Sequence, residues 1–132
     1  MTFARARNKY RQTETSGMNI PDNPYQIIRV VLTELEQSLN VLKAAEQAKS
    51  DYPQDHVNKS LRAIYLLQSS LDFEQGGDIA TSLFELYEFC RQTVLRAFRR
   101  EEGAQITDAA DAISGILDAW TEIGPQVERQ AG

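Results

Sequence analysis

The sequence predicts an all-α protein: an antiparallel up-down four-helix bundle with a short N-terminal helix or arm. Three observations predict it. Apolar residues recur at spacings of three and four in four separate segments, the period of one helix face. No segment alternates apolar and polar residues as a half-buried strand does. The connections between the four segments are short, and short connections make neighbouring helices antiparallel. The 132 residues suffice for one domain with a sizeable core. We divide the chain into a basic arm and loop over residues 1–22 and a helical bundle over residues 23–130.

Residues 3–12 are too few for periodicity to decide between a helix and an arm. Thr, Ser, Gly, Asn, Pro and Asp then collect over residues 13–23 and mark a loop. Asn23-Pro24 starts the first long helix, with Asn as the cap and Pro in the first turn. Its stripe is Ile28, Leu32, Leu35, Leu39 and Leu42, and it ends near Lys49, before the Ser50-Asp51-Tyr52-Pro53 break. The second helix starts near Asp55 and turns Val57, Leu61, Ile64, Leu67 and Leu71 inward. Gly76-Gly77 is expected to end it, because two glycines accept positive φ without a Cβ penalty. The third helix is expected to begin at Asp78, whose charge suits a helix N-terminus. It carries Ile79, Leu83, Leu86, Cys90, Val94 and Ala97 on one stripe and stops at Glu101-Glu102-Gly103. The fourth has the most regular stripe: Ile106, Ala109, Ile113, Ile116, Trp120, Ile123 and Val127. Asp108, Asp111, Asp118 and Glu122 give it a solvated opposite face.

Composition narrows the function. Apolar residues make up 42% and charged residues 25%, as in ordinary globular proteins. No apolar run approaches the ~20 residues of a membrane-spanning helix, so membrane insertion is not expected. The N-terminus lacks the apolar stretch of a secretory signal. The single cysteine, Cys90, cannot form an internal disulfide, which fits a cytoplasmic protein. The net charge of −5 divides unevenly, with +3 on residues 1–18 and −8 on the rest. A nucleic-acid module gathers positive charge on its folded face, and this folded part is acidic, so no nucleic-acid partner is expected.

The residue types of a catalytic or metal centre are not gathered at telling spacings. A di-iron bundle needs Glu-x-x-His pairs from two helices, and the chain has one histidine, His56. No Cys/His metal cluster, phosphate-cradling glycine loop or nucleophile elbow stands in the sequence. We therefore expect no enzyme, metal or cofactor. Cys90 reads as a small buried apolar residue. The pairs Glu34/Glu36 and Glu85/Glu88 read as solvated outer carboxylates. His56-Val57-Asn58-Lys59-Ser60 faintly resembles the His-x-x-Lys-Gly pattern of histidine phosphotransfer domains. Pro53 puts His56 in a first turn, though, where a phosphorelay histidine stands mid-helix.

The third helix carries more apolar surface than one stripe, since Phe84, Tyr87, Leu95 and Phe98 widen it. An arc of about 100° suffices to face a core. Two readings follow: an inner helix touching several neighbours, or a groove for another protein's amphipathic helix. Helical geometry nominates Ile28, Leu32, Tyr65 and Phe84 for such a groove.

The segment Ser70-Leu71-Asp72-Phe73-Glu74-Gln75-Gly76-Gly77-Asp78-Ile79-Ala80 resembles the Ser-Leu-Asp-Phe-Glu-x-Gly-Gly-Glu-Ile-Ala signature of the flagellar secretion chaperones. The similarity continues through Leu83, Leu86-Tyr87 and Phe89. It also takes in Pro24, the Asn8-Lys9-Tyr10 element and Trp120, and so spans most of the chain. Leu32-Thr33-Glu34-Leu35 departs from the family's Leu-Tyr-Asp-Gly run. The resemblance implies a cytoplasmic export chaperone, without catalysis or cofactor. Such a chaperone binds the C-terminal segment of flagellin and prevents its premature polymerisation. It implies partner contacts at Tyr10, Leu83, Leu86 and Tyr87, and a structural turn at Gly76 and Gly77. It leaves open the export apparatus as a second partner and a monomeric or homodimeric state. The alternatives are a bundle with a different client and a phosphotransfer domain using His56.

Overall fold

The computed structural model describes residues 23–131. The arm, residues 1–22, and with it Tyr10, lies outside the described residues. Four helices follow in order: α1 Pro24–Ala48, α2 Gln54–Ser69, α3 Phe73–Phe98 and α4 Ile106–Ala131. No strand occurs among the described residues. Each helix packs on its sequence neighbour, and α4 returns to α1, closing an up-down bundle.

The start of α1 is as its sequence predicts. Asn23 caps it, with Oδ1 accepting from Tyr25 N–H at 2.8 Å and Gln26 N–H at 3.4 Å, and Pro24 fills the first turn. Lys49 ends the helix in the left-handed conformation at φ 55°. Ser50 N–H reaches back to Ala45 C=O at 3.0 Å, so an orphan carbonyl is satisfied. Leu32, Leu35, Leu39 and Leu42 are fully buried and form the axis of the core. Val57, Ile64 and Leu67 of α2, Cys90 and Val94 of α3, and Ile106, Ala109 and Ile113 of α4 close around them.

The turn between α2 and α3 lies earlier than the double glycine. α2 ends at Ser69, and Asp72 caps α3 by accepting from Gln75 N–H at 3.0 Å. An Asx cap decides the start because it satisfies amides the helix leaves without partners. Gly77 does break the helix, but from inside: at φ 49°, ψ −124° it divides a single turn, residues 73–76, from the long body that follows. Only glycine holds that conformation without strain. The short turn lays Phe73 against Phe84, ring centroids 6.0 Å apart.

Polar ties fasten α1 to α4 along its length. Tyr25 Oη donates to Trp120 C=O at 2.9 Å, and Trp120 Nε1–H donates to Tyr25 C=O at 3.0 Å. The two rings stack at 5.3 Å. Gly124 lets Tyr25 lie across α4, since a Cβ there would fall within 2.6 Å of its Cζ. Ser114 Oγ donates to Glu36 at 2.7 Å. Glu46 caps α4 from another helix, accepting from Ile106 N–H, Thr107 N–H and Thr107 Oγ1 at 3.3, 3.4 and 3.1 Å.

Candidate functional site: an uncovered apolar trough

The inner stripes of α3 and α4 both run out of cover toward one end of the bundle. Cys90 Sγ approaches Ala109 C=O at 4.0 Å, which sets the antiparallel register of the two helices. From that pair toward the Gly77 end, exposure rises on both sides. On α3 Cys90 is fully buried, Leu83 and Leu86 are half-buried, and Ile79 is 73% exposed. On α4 Ile113 is fully buried, Ile116 and Trp120 are half-buried, and Ile123 is 41% exposed. Ile79 and Ile123 sit on their helices' core-facing stripes by helical period, and among the described residues nothing covers them. α3 and α4 also touch least of the four adjoining pairs. We read this graded exposure as a shallow apolar trough, with half-buried Leu83, Leu86 and Phe89 on the α3 side and half-buried Ile116 on the α4 side.

A second apolar surface lies on the α2/α3 side of the same half of α3. Tyr65 is 49% exposed there, beside half-buried Leu61, and the Phe73–Phe84 pair is exposed as well. Exposed large apolar residues on one side of a helix pair make this a candidate interaction surface.

The residues nominated from sequence divide three ways. Tyr65 and Phe84 are exposed on the α2/α3 surface, and Leu83 and Leu86 are half-buried on the wall of the trough. Ile28, Leu32 and Tyr87 are core residues, at 6%, 0% and 3% exposure. Their helices are covered on those faces, and burial raises the Tyr87 hydroxyl far above its ordinary pKa. Tyr10 lies outside the described residues. Gly76 and Gly77 stand at the head of α3, Gly76 with only 2.9 Å between a built Cβ and Ala80. Sequence reasoning missed Phe73, Ile79 and Ile123 as exposed residues, and Phe89 and Ile116 as half-buried ones at the edge of the core. Ile79 and Ile123 were legible as apolar, but a stripe does not show where its partner helix stops.

The polar groups serve the scaffold. His56 Nδ1 lies 3.2 Å from Ser38 Oγ, tying the first turn of α2 to α1. Glu36 and Glu88, expected on solvated faces, bridge helices instead. Glu88 accepts from Arg91 at 2.6 and 2.9 Å, from Gln92 at 2.9 Å and from Gln68 of α2 at 3.1 Å. The Arg91 bonds first, then those of Gln92 and Gln68, lower its pKa to about 2. Burial pushes the Cys90 thiol up to about 12, so it is an inert core group. Among the described residues no cluster of His, Cys, Asp and Glu could hold a metal ion. Nor is any described helix long and apolar enough to cross a membrane.

Comparison with known proteins places this arrangement. The family model described as flagellar protein FliS matches residues 3–127. The chain belongs to the FliS family. It is 28% identical over 123 residues to the flagellar secretion chaperone FliS of Salmonella typhimurium, covering 92% of this chain and 91% of that protein. To the Vibrio cholerae flagellar secretion chaperone FliS it is 25% identical over 118 residues, covering 89% and 87%. To FliSB of Pseudomonas aeruginosa, also a flagellar secretion chaperone, it is 22% identical over 124 residues, covering 93% and 98%. No solved structure matches the chain. FliS relatives thus match it along nearly its whole length.

Proposed function

We propose that this chain is a cytoplasmic flagellar secretion chaperone that holds the C-terminal segment of flagellin in the α3/α4 trough and across the α2/α3 surface. Membership of the FliS family supports the client. The observation that carries the reading is the pair Ile79 and Ile123, core-facing residues that are exposed among the described residues. An amphipathic helix laid there completes two unfinished stripes and covers its own apolar face. A bound flagellin segment could not then meet other flagellin subunits through that face. Binding works by burial and shape, without catalysis or cofactor. A client that orders as it binds loses chain entropy, which offsets part of the affinity and favours release. The export apparatus is the second partner this role implies.

The test is binding of the C-terminal flagellin peptide to Ile79→Asp and Ile123→Asp. Both positions are exposed, so the fold is retained and affinity falls at least tenfold. Undiminished affinity in both variants would remove the trough from the binding surface.

A further inference from the structure

We propose that the bundle has a built-in opening: α3 and α4 part along their seam, from the Gly77 end toward the connection over residues 99–105, while α4 stays latched to α1. The four interfaces differ in what holds them. α1 and α4 share the Tyr25–Trp120 clasp, the Ser114–Glu36 bond and the Glu46 cap. α1 and α2 share His56–Ser38, and α2 and α3 share Gln68–Glu88. Between α3 and α4 the described residues show only the long Cys90 Sγ–Ala109 contact of 4.0 Å.

The seam is also thin, since α3 and α4 touch least of the four adjoining pairs. Its closed part is buried and mixes small residues, Cys90, Ala97 and Ala109, with Val94, Ile106 and Ile113. Its open part holds side chains that already meet water. Parting the open part comes first and forfeits little burial, because the cost scales with the area newly exposed, and the cost rises as the parting reaches the buried Val94, Ile106 and Ile113. No strong hydrogen bond between described residues breaks. Arg100, left-handed at φ 59°, and Gly103, at φ 80°, form the turn at the closed end and provide the pivot. Partial openings of this kind occur where apolar contact is thin, at free energies below global unfolding. Opening widens the trough and lets a helix enter between the walls rather than rest on their rims. It is a property of the chain alone and stands whether or not flagellin is the client.

Cys90 reports the opening directly. It is the only cysteine in the chain and is fully buried in the seam. The experiment is alkylation of the free full-length protein with iodoacetamide across a urea series, beside global unfolding followed by circular dichroism. Opening predicts labelling at least tenfold faster than global unfolding allows in the absence of urea, with a shallower urea dependence. Ile116→Ala should widen that excess, and Ser114→Ala, which touches only the α1/α4 latch, should leave it unchanged. Labelling that tracks global unfolding at every urea concentration would overturn the proposal. So would an equal gain in Ser114→Ala, because the parting interface would then be α1/α4.

Discussion

Single residues set the joints of this bundle, and two glycines do so by opposite means. Gly77 is required for its dihedrals, φ 49° with ψ −124°, and Gly124 for the space it leaves to the Tyr25 ring. Gly77→Ala should destabilise by about 1–3 kcal/mol, the usual cost of holding a side chain in a sparsely populated region, seen as a lower urea midpoint. Gly124→Ala should push Tyr25 off Trp120. Trp120 is the sole tryptophan, so its emission spectrum should change even if the helix content does not. Ser60 offers a gain: its hydroxyl is fully buried and finds no hydrogen-bond partner among the described residues. Ser60→Ala removes an unsatisfied polar group and improves helix propensity, and should stabilise by about 1 kcal/mol in denaturant titration.

At the scale of the helices, side chains of one element cap or bridge another. Glu46 stands sixty residues from the amides it caps, an arrangement no local pattern announces. Glu46→Ala should cost about 1 kcal/mol, the ordinary worth of an N-cap, with exchange protection lost first at the start of α4. Glu88 joins α2 to α3 and has its pKa lowered from 4.5 to about 2. A lowered folded-state pKa stabilises the fold above pH 4.5, and that part is lost as pH falls from there toward 2. The carboxylate is a third exposed, so solvent screening holds the effect to about 0.5 kcal/mol. Glu88→Gln should flatten the stability profile in that window alone. The sequence made the four helices legible, because each stripe keeps a helical period and Asn23-Pro24 is a strong start. The start of α3 was misplaced to Asp78 because the double glycine outweighed the Asp72 cap, six residues earlier. Glu36 and Glu88 were read as solvated because sequence shows a carboxylate's face on its own helix and not the Ser114 or Gln68 that meets it.

For the whole molecule, the core was legible and the surface was not. Leu32, Leu35, Leu39, Leu42 and Cys90 are buried as their stripes predict. Of the proposed contacts, Ile28, Leu32 and Tyr87 turned out to be core, since an apolar surplus on a helix does not say which part a neighbour covers. The exposed residues Ile79 and Ile123 lie on stripes that read as interior, and only the thin contact between α3 and α4 and their exposure reveal them. The same thin contact is the centre of the proposed function, in which another chain's helix covers those residues. The measurement that tests it most directly is calorimetric titration of the full-length protein with a peptide of the last ~50 residues of the host's flagellin, at several temperatures. The account predicts saturable one-to-one binding, a negative heat-capacity change from apolar burial, and at least a tenfold loss in Ile79→Asp. A folded protein that takes up no peptide, or that binds with no heat-capacity change, would contradict it.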